Sequence, residues 1–125
     1  MMELTKNEVE IMEVLWEAGR PLTGVEIVNK SVNKSWKSKS IHILINSLLK
    51  KEAIREAGFI RAGKAFARTF EPTETGEAYY AGVLAEIASK TSVESLFSAL
   101  FKSKDITVDT IRELEDMINK KKQEL

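Results

Sequence analysis

Lys39, His42, Ile43, Asn46 and Lys50 stand at positions i, i+3, i+4, i+7 and i+11, so on an α-helix they share one face. That face offers cationic donors, an amide and one small apolar contact, the chemistry that reads base edges in a duplex major groove. Ile41, Leu44, Ile45, Leu48 and Leu49 fill the opposite face at core-packing spacing, which predicts a helix from about Ser38 to Lys51. Arg61, Lys64 and Arg68 follow within one short segment. None is decisive alone, but together they favour phosphate binding.

These residues sit in a basic block hidden by a net charge of zero. Between Arg20 and Phe70 the chain carries eleven Lys or Arg against Glu26, Glu52 and Glu56, while the flanks carry eight bases against sixteen acids. Such a block, set on an ordered pattern rather than a tail, is the footprint of a protein that binds a polyanion. At 125 residues, 43% hydrophobic and 30% charged, the chain can form one compact domain, or a small domain with a helical appendage. Lacking cysteine and carrying only His42, it has no thiolate cluster or nucleophile and no ready zinc site, so no metal or cofactor is expected. No apolar run reaches the ~20 residues of a membrane span and residues 1–10 lack a signal-peptide core, so a cytoplasmic location without membrane insertion is expected.

The elements that must position the basic face are legible in caps and periodicity. Thr5 and Glu8 have capping-box spacing before a helix with Ile11, Met12, Leu15 and Trp16 on one face, ended by Gly19. Thr23 and Glu26 repeat the spacing before a second helix, predicted to reach about Val32. After the third helix, Ala53–Phe59 and Ala65–Glu71 read as strands of a β-hairpin whose linking stretch holds Arg61, Gly63 and Lys64. Three helices followed by a basic hairpin is the order of a winged helix-turn-helix, mainly α with a small β-hairpin wing. The predicted division is a DNA-binding domain at 1–73 and a helical dimerisation region at 74–125. The second region is acidic, with three predicted helices. Its apolar positions, including Val93, Leu96, Phe97, Leu100, Phe101, Ile111, Leu114 and Ile118, exceed what so thin a layer can bury. A homodimer is the simplest remedy, and it would place two recognition helices about one duplex turn, ~34 Å, apart.

Three strings carry a family resemblance: Leu4 to Trp16 (LTKNEVEIMEVLW), Pro21 to Ile27 (PLTGVEI) and Trp36 to Lys51 (WKSKSIHILINSLLKK), continued by Gly63–Phe66 and Asp105–Glu115. With them the chain resembles the penicillinase-repressor family, bacterial repressors of β-lactamase and methicillin-resistance operons. The resemblance implies a homodimer on a palindromic double-stranded DNA operator, and in antibiotic-responsive members inactivation by proteolysis after a membrane sensor detects a β-lactam. Carried over by position, the DNA contacts are Lys39, Ser40, His42, Ile43 and Asn46, with Trp36 and Lys37 near the helix start and Lys64 in the wing; Ser38, which can still begin the helix, is counted with them. Lys50, Arg61 and Arg68 join this set from the residue reading. The proteolytic site aligns with Leu100 and Phe101, where Leu replaces the family's Asn, and both also fit a plain apolar interface. The chain departs from the family pattern at Ser38 (usually Pro), Ile43 (often Thr), Ser47 (usually Arg) and Glu52 (usually Gly). Ile43 and Ser47 are expected to remove polar groups near the groove, and with them to change the operator sequence.

Trp36 is open between covering the core and lying against the DNA backbone. Lys50 and Lys51 are open between a solvated helix end and phosphate contact. Two other functions compete with the repressor: a winged-helix module that binds an acidic protein, and a ligand-sensing regulator with a pocket in the helical region. An enzyme has little support, since no phosphate loop or nucleophile pairing is present.

Overall fold

The computed structural model describes residues 3–103 and 105–125. Helix α1 spans Lys6–Ala18, opened by the full capping box of Thr5 and Glu8 and closed by Gly19 in the left-handed conformation. Strand β1, Leu22–Thr23, is only two residues long, and Thr23 then caps helix α2, Gly24–Lys30, in a second box with Glu26. Helix α2 stops two residues short of the predicted Val32, where Ser31 leaves helical geometry and its hydroxyl donates to the Ile27 carbonyl. A 3-10 turn at Ser38–Ser40 leads into α3, Ile41–Lys50.

The hairpin is longer than its apolar pattern indicates: β2 runs Ile54–Ala62 and β3 Ala65–Pro72. Arg61 therefore lies within a strand, and only Gly63 and Lys64 form the turn. Gly63 has φ 65°, the sign required at the first position of such a two-residue turn. Gly58, with φ 153°, takes up the register shift between Glu56 and Gly58, a bulge that lets the long hairpin bend without losing its pairing. The sheet order is β1-β3-β2, all antiparallel, so the tiny β1 pairs Leu22 with Phe70 and ties the hairpin root to the helices.

Ile11, Met12, Leu15, Leu22, Ile27, Ile41, Ile45, Leu48, Ile54 and Phe70 form one buried cluster beneath the three helices and the sheet. Helix α4, Gly76–Ala88, begins against this body, with Tyr79 buried and the Trp16 indole N–H donating to the Glu74 carbonyl at 3.0 Å. The chain forms two compact units, Met1–Val83 and Leu84–Leu125, the first taking in the tyrosine-bearing half of α4.

The second unit contains α5, Val93–Ser103, and α6, Val108–Glu124, the latter capped by Thr107. Neither helix has a buried residue. Phe101 of α5, Asp105 and Ile106 between the helices, and Ile111, Leu114, Glu115 and Ile118 of α6 line a concavity of about 580 Å³. No described helix is long and apolar enough to cross a membrane.

Candidate nucleic-acid interface

Helix α3 is divided as its periodicity predicts. Ile41, Ile45 and Leu48 are buried, whereas His42, Ile43, Asn46 and Lys50 are exposed, Ile43 to 72%. An isoleucine that far out of a well-filled core has no internal packing role, and its position among polar groups suits contact with a thymine methyl. Lys39 does not join the α-helical ladder. It lies in the 3-10 turn with exposed Ser38 and half-buried Ser40, preceded by exposed Lys37, so this group meets the helix from its N-terminal side.

Trp36 is placed in the core, not on the surface that would face a duplex. It is 5% exposed, its indole N–H has no acceptor among the described residues, and the Lys34 ammonium lies 5.6 Å from its ring centre. The loop that carries it is anchored to α1: the Ser35 amide donates to Glu10 at 2.9 Å, its hydroxyl to Asn7 at 2.7 Å and also to Glu10. These bonds hold the Glu10 carboxyl below its ordinary range.

The wing residues differ in what they have left to offer. Arg68 pairs with Glu56 and lies 5.2 Å from the Phe70 ring centre, while Arg61 lies 5.9 Å from the Phe66 ring centre and donates to the Gly63 carbonyl. Lys64, at the tip, is exposed and has no carboxylate partner among the described residues. His42 of α3 and Ala67 and Arg68 of β3 line one shallow depression of about 170 Å³, so the helix and the wing root are brought together.

The sequence reading missed the group that sets the attitude of α3. Glu8 is 1% exposed, and its carboxylate accepts from Lys51 Nζ at 2.7 Å, from Ser47 Oγ at 2.6 Å and from the Thr5 amide at 2.8 Å. Burial pushes this carboxyl up, but the hydrogen bonds from Lys51, Ser47 and Thr5 outweigh it and hold the pKa at about 2. Ser47, expected near the groove, instead faces α1, and Lys51 is neither a free helix end nor a free cation. The capping-box spacing signalled only the Thr5 part of this network, because Ser47 and Lys51 come from some forty residues downstream.

A helix with a buried apolar face and an exposed polar strip, preceded by two capped helices and followed by a basic hairpin, defines a winged-helix DNA-binding protein. The model of the family described as "Penicillinase repressor" matches residues 4–120, and the chain belongs to that family, whose members are transcriptional repressors. Among solved structures it is similar to the adhesin competence repressor of Streptococcus pyogenes, with 13% identity over 98% of this chain and 81% of that one and a TM-score of 0.46. A search of the curated proteins found no match.

Proposed function

We propose that the chain acts as a homodimer on a palindromic operator, α3 reading bases and the wing supplying affinity, and represses by occupying the promoter region. The observation that carries this is the exposed strip of His42, Ile43 and Asn46, held opposite the buried Ile41, Ile45 and Leu48 and beside the wing root. Lys37, Ser38, Lys39, Ser40 and Lys50 flank the strip as phosphate or sugar contacts, with Arg61, Lys64 and Arg68 from the wing. Trp36 acts from beneath, by fixing the loop that enters α3.

The dimer is supported by the helical unit itself. Val93, Phe97, Phe101, Ile111 and Ile118 are exposed, Leu96, Leu100 and Leu114 half-buried, and α5 and α6 bury nothing. A second copy laid on this surface would remove it from water. In functional terms we assign the DNA-binding domain to residues 1–73 and the dimerisation region to 74–125, although the compact units divide after Val83. The Leu100–Phe101 bond lies inside α5, so a sensor-activated protease would need that helix to open locally, and cutting there would separate α6 and weaken the dimer.

The deciding experiment titrates the full chain, at one fixed salt concentration, against random duplex and against the best palindrome recovered from a randomised library. A preference of about tenfold or more is expected of a base-reading repressor, and equal binding to both duplexes would refute it in favour of a module that recognises an acidic protein. Light scattering should give twice 14.1 kDa at micromolar concentration, and a mass of 14.1 kDa would refute the dimer.

A further inference from the structure

The wing carries more apolar surface than phosphate contact requires. Phe59 and Phe66 are 64% and 68% exposed on the hairpin. Register sets Phe59 opposite Arg68 and Arg61 opposite Phe66, so two phenylalanines and two arginines interleave on one face of the ladder. Strand alternation puts Phe66, Arg68 and Phe70 on the same side of β3. Phe70 is buried in the core and Arg68 shares a depression with His42, so this Phe–Arg face runs outward from the root beside α3.

Charge is distributed unevenly along the hairpin. Arg55 is neutralised by Glu71 and Arg68 by Glu56 near the root, which leaves Arg61 and Lys64 without carboxylates among the described residues at the distal end. The exposed Phe66 thus lies at a positive tip. Phosphate oxygens give a phenyl ring nothing, whereas sugar edges and a partly opened base step in a minor groove give it apolar contact, and the negative potential of a narrow groove attracts a guanidinium.

On the DNA-binding reading above, we infer that this face of the wing enters the minor groove flanking the α3 contact, with Arg61 sensing groove width and Phe66 pressing on a base step as a wedge. The Arg61 guanidinium carbon lies 5.9 Å from the Phe66 ring centre, so the two side chains would enter together. The wing would then contribute specificity through the deformability of the flank as well as affinity.

The test uses the full chain and a palindromic duplex selected from a randomised library, with 2-aminopurine placed in turn at each flanking step. Wild type should raise the emission at one step, the mark of unstacking. Phe66→Ala should abolish that rise and weaken binding roughly tenfold, the range of one aromatic–base contact. Arg61→Lys keeps the charge, so the salt dependence should hold while the preference for A·T over G·C flanks falls several-fold. Unchanged thermal midpoints, expected because both side chains are exposed, would show that the variants are folded. A flat 2-aminopurine signal across the flanks, or a Phe66→Ala protein with wild-type emission and affinity, would overturn the inference. If Asn46→Ala still lost sequence preference in that experiment, the repressor reading would stand without the wedge. Equal wild-type binding to selected and random duplex would remove both.

Discussion

Replacing Glu8 by Gln isolates the charge that joins α1 to the end of α3. Gln has the shape of a protonated glutamic acid, so at neutral pH the substitution approximates forcing a proton onto the buried carboxylate. The folded-state pKa is lowered from 4.5 to about 2, a displacement worth about 3 kcal/mol at 1.36 kcal/mol per unit. Lys51 keeps 33% of its side chain in water, so it is not stranded when its partner becomes neutral, and the loss should not greatly exceed that figure. Because the folded pKa is the lower one, the unfolded chain binds more protons between about pH 2 and 4.5, and stability rises with pH across that window. The contribution is fully present above 4.5 and lost as pH falls towards 2. Urea denaturation of wild type and variant at equal protomer concentration, at several pH values, should show a gap of about 3 kcal/mol at pH 7 that closes in acid. Taking the difference between the two proteins cancels the other carboxylates. A gap that stays constant down to pH 2.5, or one below about 1 kcal/mol at pH 7, would refute the reasoning.

Glu52 occupies the left-handed position of a Schellman motif, φ 60°, with the Ala53 amide on the Leu48 carbonyl and the Glu52 amide on Leu49. Glu52→Gly should therefore stabilise the fold by about 1 kcal/mol, read as a raised urea midpoint at unchanged slope. Trp36→Phe removes an indole N–H that has no acceptor among the described residues while keeping the aromatic fill, so it should cost under about 1.5 kcal/mol and leave DNA affinity unaltered; a several-fold loss of affinity in a stable variant would return Trp36 to the interface. His42→Ala and Asn46→Ala should each cost ~1 to 3 kcal/mol on the selected palindrome and much less on random duplex, whereas Lys64→Ala should weaken both alike. Equal losses on the two duplexes for Asn46→Ala would remove it from base reading.

What could be read in advance was whatever a few neighbouring residues decide. The pairs Thr5 with Glu8 and Thr23 with Glu26 are complete hydrogen-bond devices within a single turn, and both form as their spacing indicates. The apolar ladder of α3 needs only its own period to say which side is buried. The two-residue β1 has no such period; it is a strand only because Phe70 and Thr69 arrive beside it from β3. The residue pattern ends the first strand of the hairpin at Phe59 and leaves Arg61 in the linking stretch, yet cross-strand pairing carries β2 on to Ala62. The same limit explains Trp36 and the seam at Glu8. An aromatic next to a basic helix is equally consistent with core and DNA until the Ser35 bonds to α1 fix the loop's course. Ser47 and Glu52, read along the chain, are two separate departures from the family pattern. In space they flank Lys51: Ser47 gives its hydroxyl to the carboxylate that Lys51 neutralises, and Glu52 turns the chain directly after it. At position 47 the chain carries part of the device that holds α3 against α1, so this departure from the family pattern bears on the placement of that helix.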